Sequence, residues 1–141
     1  MIRTFRVNDL DDIMQIWIDT NIKAHSFISK EYWINNYMTV KDILPQAEIY
    51  VYEDDSKRID GFIGLTDNYI AGIFVRESVQ SRGIGKHLLD YAKRMKQTMS
   101  LSVYQKNTRA VLFYRREQFT IQSENIDDNT GEKEYTMMWR K

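Results

Sequence analysis

The feature that most constrains the fold is a glycine-containing loop between a strand-rich segment and an amphipathic helix. The loop reads Gln-Ser-Arg-Gly-Ile-Gly-Lys over residues 80–86, and Ile84, Leu88 and Ala92 follow at helical spacing. Amide N–H groups at a helix start have no partner inside the helix, and the helix dipole adds partial positive charge there. Glycine allows an anion to approach such amides closely. The segment therefore predicts a binding site for a phosphorylated ligand.

Length and composition limit the possible classes of protein. The chain has 141 residues, of which 43% are apolar, so we expect one domain over residues 1–141. It has no apolar stretch of about 18 residues, and residues 1–6 lack the apolar block of a secretion signal. The absence of cysteine excludes a disulfide framework and a thiol nucleophile, and only two histidines argue against a metal site. We expect a cytoplasmic protein with no metal and no membrane association.

Charge is unevenly distributed along this chain of zero net charge. Residues 76–116 contain ten lysines and arginines but only two acidic residues, Glu77 and Asp90. Because the basic cluster surrounds the glycine pair and does not extend along the chain, it favours a local anionic ligand over a nucleic acid.

Hydrophobic periodicity predicts a mixed α/β fold with the element order β-α-α-β-β-β-α-β-α-β-β. The predicted strands are 2–7, 48–53, 59–65, 69–75, 99–104, 120–123 and 135–139. The predicted helices run from Asn8 or Asp9 as N-cap to about Asn21, from 30 to 44, from 83 to 96 with Met95 on the buried side, and from the cap Asn107 to about Glu117.

Two common glycine motifs do not fit the loop. A Walker A motif requires glycine where Gln80 stands and serine or threonine where His87 stands. A dinucleotide-binding fingerprint requires a third glycine where Leu88 stands, and it belongs to the first strand–helix unit of a domain. Hydrolysis of a nucleoside triphosphate and dinucleotide binding are therefore both disfavoured.

The remaining pattern, Gln80-x-x-Gly83-x-Gly85 after three strands, resembles the pyrophosphate-binding signature of the GNAT superfamily of acyl-CoA N-acyltransferases. The family's downstream pattern of Asn, Ala, Phe-Tyr and Phe is matched by Asn107, Ala110, Phe113-Tyr114 and Phe119. The sequence departs from the family at Gln118, where glycine is usual. The resemblance covers the full chain and implies a GNAT-like fold, with a mostly antiparallel twisted sheet of about seven strands flanked by four helices.

The resemblance also implies a binding site for acetyl-CoA. The backbone of Ile73, Phe74 and Val75 would pair with the pantetheine arm as an added strand would, and Asn107 would contact the cofactor while capping its helix. The pyrophosphate would be held by Gln80, Ser81, Arg82, Gly83, Ile84, Gly85 and Lys86, mainly through the amides of 82–86. For Arg82 and Lys86, ordinary surface charges remain an alternative interpretation.

Acyl transfer from a thioester needs a neutral amine, a donor to the oxyanion and a proton for the departing thiolate. The resemblance implies a strand bulge whose amide near Phe74 serves the oxyanion, and it makes Tyr114 the general acid. A tyrosine is protonated at neutral pH and can donate to a thiolate, although Tyr114 could also be a packed aromatic. His25 is a candidate general base, with Glu48 or Glu53 acting through water as alternatives, and a water chain without a dedicated base is also possible.

The predicted function is transfer of an acetyl group from acetyl-CoA to a primary amine by direct attack in a ternary complex. The alternative is a non-catalytic acyl-CoA-binding or interaction module, which would not need Tyr114. The acceptor could be a small-molecule amine or a protein or peptide amine, and the protein a monomer or homodimer. Six aromatic residues are candidates for an acceptor wall: Trp17, Phe27, Trp33, Tyr37, Tyr69 and Tyr104.

Overall fold

The computed structural model describes residues 1–141 and contains the eleven helices and strands in the predicted order. The strands are β1 (Ile2–Thr4), β2 (Glu48–Glu53), β3 (Ile59–Thr66), β4 (Tyr69–Val75), β5 (Thr98–Tyr104), β6 (Thr120–Ile126) and β7 (Lys133–Arg140). The α-helices are α1 (Leu10–Ala24), α2 (Lys30–Ile43), α3 (Ile84–Met95) and α4 (Thr108–Arg116). None of the helices combines the length and apolar character needed to cross a bilayer.

All seven strands form one sheet in the order β1-β2-β3-β4-β5-β7-β6. Neighbouring strands are antiparallel except β4 and β5, which run parallel. The parallel pair is joined through α3, because parallel neighbours require a crossover connection. The mixed α/β architecture with a mostly antiparallel sheet is therefore confirmed.

Apolar side chains form two core clusters with α1 and α2 in one and α3 and α4 in the other. Ile13, Trp17 and Trp33 contribute to the first cluster together with Val51 and Phe62 of the sheet. The second cluster contains helical side chains and side chains of the sheet, among them Ile84, Leu88, Leu89, Ala92, Val111, Tyr114, Ile70 and Leu101. Burial of both sheet faces explains why seven of the eight residues of β3 are buried.

Several predicted boundaries are wrong by a few residues. Strand β1 ends at Thr4, and a short 3-10 turn over Val7–Asp9 follows. Asp9 is the N-cap residue of α1 as predicted, but its carboxylate accepts the Arg6 N–H at 2.7 Å and pairs with Arg3 at 2.9 Å, so its side chain accepts no hydrogen bond from α1. Helix α1 also continues to Ala24, and β6 continues to Ile126.

The buried side of α3 differs from the prediction at Met95 and at Leu89. Met95, the last residue of the helix, is 44% exposed, whereas Leu89 is fully buried. The buried stripe is formed by Ile84, Leu88, Leu89 and Ala92. Helical spacing alone would place Met95 on that buried stripe, but Met95 is the last residue of the helix and lies at its exposed end.

Gly61 of β3 pairs with Val75 of β4, and we expect Gly61→Ala to destabilise the fold by about 1–3 kcal/mol, the usual cost of overpacking. An added Cβ would lie 2.8 Å from the Phe74 carbonyl oxygen, which is backbone and cannot move away cheaply. Gly64→Ala is the matched control in the same strand, because its Cβ would meet nothing closer than the Ala71 Cβ at 3.9 Å. Urea unfolding of both variants measures the difference. Equal free energies of unfolding would contradict the proposed clash.

Candidate functional site

The parallel strands β4 and β5 pair only at their first positions, Tyr69 with Ser100 and Ile70 with Leu101. Beyond Ile70 the two strands separate, whereas β4 remains paired with β3 as far as Val75. The edge of β4 over residues 71–75 therefore has no strand partner on the β5 side. An open strand edge offers its backbone groups to an extended ligand.

A β-bulge lies at the point where the strands separate. On β3, Gly64 and Leu65 are consecutive, but their partners on β4 are Gly72 and Ile70, so Ala71 is the extra residue. The sequence-based prediction put the bulge near Phe74, and its position is wrong by three residues. Its physical role is nevertheless clear, because a bulge bends its strand and ends regular pairing.

The loop before α3 contains six consecutive unpaired amides. No backbone N–H from Ser81 to Lys86 donates to any group of the protein, and the first bond of the helix runs from the His87 N–H to the Gly83 carbonyl at 2.9 Å. Gly83 is the N-cap of α3 with φ +86°, and Ser81 has φ +65°. A Cβ on Gly83 would meet nothing within 4 Å, so the space in front of the loop is open. The geometry is that of an anion-binding cradle at a helix N-terminus.

Side chains behind the loop fix its shape. The Gln80 amide nitrogen donates to the Val75 carbonyl at 2.9 Å, which ties the loop to the end of β4. Arg109 of α4 donates to Gln80 Oε1 and to Ser81 Oγ, both at 2.9 Å. The Gln80 side chain thus binds protein groups, and Arg109 is a site residue that sequence reasoning missed. Only its place in the basic cluster could have indicated it.

The two basic side chains of the loop differ in their surroundings. Lys86 pairs with Glu117 at 3.0 Å and with Asp90 at 3.3 Å, and the hydrogen bond to Glu117 is the main cause that raises the pKa of Lys86. Arg82 is exposed and forms no hydrogen bond or ion pair within the protein. The Lys86 side chain is more than half exposed in both pairs, so water can compete for its ammonium group.

The open edge and the cradle line one cleft of about 970 Å³. All predicted cofactor-binding residues except Arg82 line it, and so do the candidate acid and base Tyr114 and His25; the cofactor set is Ile73, Phe74, Val75, Gln80, Ser81, Gly83, Ile84, Gly85, Lys86 and Asn107. The cleft has room for a ligand of cofactor size. No group of three or more histidine, aspartate or glutamate side chains is arranged to hold a metal ion.

Tyr114 lies in the wall of this cleft with 7% of its surface exposed. Burial raises its pKa above the ordinary value of a tyrosine, and the nearby Tyr69 adds to that rise. Its ring packs edge-on against Phe113 and Phe119. The phenol is thus protonated at neutral pH, and no hydrogen bond to the protein occupies it. Such a group is available to donate a proton to an atom in the cleft.

His25 and Asn107 meet in the same wall, with His25 Nε2 3.2 Å from Asn107 Nδ2. Burial lowers the pKa of His25 to about 4, so the ring is neutral at physiological pH and is a weak base. Asn107 is confirmed as the N-cap of α4, because its Oδ1 accepts the Ala110 N–H at 3.3 Å. The two residues join the segment after α1 to the start of α4.

The other candidate bases lie elsewhere. Glu48 accepts from the Tyr50 hydroxyl and pairs with Lys96 at 2.9 Å, and Glu53 is buried against Arg3 at 2.9 Å. Neither glutamate lines the cleft. Both carboxylates are therefore poorly placed to accept a proton from a substrate in the cleft.

The six predicted wall aromatics fall into different environments. Trp17, Trp33 and Tyr37 belong to the core cluster around α1 and α2. Phe27, Trp33 and Tyr104 surround His25, and Tyr69 is 42% exposed. None of the six lines the large cleft itself.

Comparison with known proteins places this fold and cleft in one family. The sequence matches the acetyltransferase (GNAT) domain over residues 45–121. The peptidyl-lysine N-acetyltransferase YiaC of Escherichia coli (strain K12) is 33% identical over 141 residues, which cover 99% of this chain and 96% of YiaC. The peptidyl-lysine N-acetyltransferase YjaB of the same organism is 26% identical over 137 residues, covering 97% and 92% of the two chains.

Solved structures show the same fold. The solution structure of apo YjaB from Escherichia coli has a TM-score of 0.88 at 24% identity and covers 99% of this chain and 96% of that one. The PaiA N-acetyltransferase of Thermoplasma acidophilum in complex with coenzyme A has a TM-score of 0.85 at 18% identity, with 100% and 98% covered. The chain therefore belongs to the GNAT family. It is an N-acetyltransferase that transfers an acetyl group from acetyl-CoA to an amine.

Proposed function

We propose that the protein acetylates lysine side chains of peptides or proteins, with the loop 82–86 holding the pyrophosphate of acetyl-CoA and Tyr114 acting as general acid. The single observation that supports the cofactor assignment most strongly is the run of unpaired amides from Ser81 to Lys86. Six consecutive N–H donors, three in the loop and three in the first turn of α3, fit a diphosphate better than any other group of the cofactor. The proposal for the acceptor is supported by the relative YiaC, named a peptidyl-lysine N-acetyltransferase.

The remainder of the donor fits the open edge of β4. An extended pantetheine arm contains two amides, and the backbone of Ile73, Phe74 and Val75 has no partner strand on the side toward β5. Pairing of the arm with this edge would continue the sheet by one strand-like element. The thioester would then lie near the bulge at Ala71, between β4 and β5.

The chemical step is an attack by the neutral amine on the thioester carbonyl. A C–N bond forms, the carbonyl oxygen becomes an oxyanion, and the C–S bond then breaks. Tyr114 gives its proton to the departing thiolate, and the proton lost by the nitrogen goes to water. Because the pKa of Tyr114 is raised by burial, the phenolate it forms is readily reprotonated. Retention of this cleft-lining tyrosine favours an enzyme over a non-catalytic binding module.

The direct test combines binding and turnover. Isothermal titration of the full chain with coenzyme A should give heat of binding. Incubation with acetyl-CoA and a lysine-containing peptide whose N-terminus is blocked should release free thiol and yield an acetylated lysine, detected by mass spectrometry. A peptide with arginine in place of lysine is the matched control, and spermidine tests a small amine acceptor. Absence of heat with coenzyme A would overturn the proposal, whereas activity only on spermidine would overturn the choice of acceptor.

We further propose that residues 1–141 act as one domain, since a single sheet carries both core clusters. A cytoplasmic location is proposed because acetyl-CoA is available there. The oligomeric state, monomer or homodimer, is open to measurement by light scattering.

A further inference from the structure

The His25 ring is held in place by aromatic neighbours from three parts of the chain. It stacks on Trp33 of α2 with centroids 5.2 Å apart and an interplanar angle of 25°. Phe27 and Tyr104 meet it edge-on at 5.7 Å and 5.2 Å. Its backbone N–H donates to the Asn21 carbonyl at 3.0 Å, which anchors it to the end of α1. The orientation of the ring is therefore set by packing, independently of any ligand.

The Asn107 side chain can take only one orientation next to this ring. Its Oδ1 accepts the Ala110 N–H at the start of α4, so its Nδ2 must be the atom 3.2 Å from His25 Nε2. An amide NH₂ is only a donor, so His25 Nε2 must supply its lone pair. The ring hydrogen then lies on Nδ1, which is buried and has no partner.

This arrangement leaves the second N–H of the Asn107 amide without a partner in the protein, and Asn107 lines the donor cleft. Because the Nε2 lone pair is already used, the ring is poorly suited to accept a proton from the substrate. Burial keeps the ring neutral at physiological pH, since the pKa of His25 is lowered to about 4. The lone pair on His25 Nε2, which accepts the hydrogen bond from Asn107, is therefore available at physiological pH.

We propose that His25 is a positioning residue, whose Nε2 fixes the Asn107 carboxamide so that its remaining N–H serves the acyl donor in the cleft. The proposal rests on the acetyl-CoA site of the proposed function and replaces the base role for His25. This positioning role differs from a purely structural one, because it depends on the hydrogen-bond acceptor His25 Nε2 and not on the aromatic packing of the ring.

The tautomer of His25 in the full-length wild-type protein provides a test that does not involve acetyl-CoA. The chain has only two histidines, His25 and His87, so the ring nitrogens are readily assigned by long-range ¹H–¹⁵N NMR with His25→Gln as reference. We expect the His25 ring to carry its hydrogen on Nδ1 at neutral pH. A hydrogen on Nε2 would overturn the proposal regardless of any binding result.

Two substitutions of His25 separate the acceptor atom from the packing. His25→Phe keeps an aromatic ring against Trp33 and has no acceptor, whereas His25→Gln loses the ring and keeps an acceptor oxygen at similar reach. We expect the Kd for coenzyme A to rise about three- to tenfold in His25→Phe, as for one lost neutral hydrogen bond. In His25→Gln it should stay within about twofold of wild type. A packing role predicts the reverse order, because phenylalanine preserves the stack.

A double-mutant cycle checks that the effect acts through Asn107. In Asn107→Ser the cap oxygen is kept and the amide donors are gone, so adding His25→Phe should change the Kd no further. An unchanged threefold or larger effect in that background would overturn the proposal. If wild type itself gives no heat with coenzyme A, the proposed function fails, whereas binding by wild type with equal affinities for the Phe and Gln variants refutes only the role of His25.

Discussion

Gly83→Glu is expected to abolish binding of coenzyme A. The new side chain would project into the open space in front of the unpaired amides, since nothing lies within 4 Å of a Cβ at this position. A carboxylate about 4 Å from a diphosphate charge costs on the order of 4 kcal/mol at the effective dielectric of a protein surface, which corresponds to about a 1,000-fold loss of affinity. Calorimetric titration with coenzyme A measures the loss.

The substitution also imposes backbone strain, and the chain offers a control for it. Gly131 has φ +75° and an equally open Cβ position, but it lies in the loop between β6 and β7 and does not line the cleft. Gly131→Glu therefore introduces comparable strain, about 1–2 kcal/mol, and the same charge away from the cradle. We expect both variants to lose similar stability but only Gly83→Glu to lose affinity. Coenzyme A affinities within threefold of each other would contradict the cradle.

Tyr114→Phe is expected to lower kcat about 100- to 10,000-fold, the usual effect of removing a positioned acid. The Kd for coenzyme A should change little, because the lost hydroxyl binds no protein group and, in the proposed complex, would lie against only the reacting end of the donor. Stability should also be nearly unchanged, since no buried partner is left unsatisfied. Thiol release at saturating acetyl-CoA measures kcat, calorimetric titration with coenzyme A measures the Kd, and thermal unfolding measures stability.

Tyr135→Phe is the matched control for this variant. Tyr135 is half-buried against the same core cluster as Tyr114, but it does not line the cleft. Its substitution should leave kcat within about twofold of wild type. If Tyr114→Phe behaves in the same way, Tyr114 is only a packed aromatic and thiolate protonation must come from water.

Local patterns in the sequence were sufficient for the order of elements. The alternation of Ile49 and Val51 with tyrosines defines β2, and Asn107 defines the start of α4, because strand periodicity and helix capping are local properties. Errors in the extent of the elements are confined to their ends. Asp9, for example, is the N-cap of α1 as predicted, but its carboxylate pairs with Arg3 and not with the first turn of the helix.

Side-chain contacts between segments far apart in the sequence could not be predicted from local sequence patterns. Arg109 holds a loop 28–29 residues away, and Asn107 contacts His25 across 82 residues. Neither contact leaves a periodic or spacing signal in the sequence. The prediction of His25 as a general base therefore came from the chemistry of histidine and not from its contacts. Tertiary packing instead buries the ring, lowers its pKa to about 4 and occupies its Nε2.

The sequence by itself determined the type and order of the elements and the glycine loop that begins α3, because these depend on residues close together in the chain. Only the tertiary structure decided that β4 and β5 separate after Ile70, that the bulge lies at Ala71, and that the Gln80 side chain binds the Val75 carbonyl at the end of β4. These features depend on which distant segments pack together. Their common physical reason is that strand pairing and side-chain burial are settled by the whole core and not by neighbours in the chain.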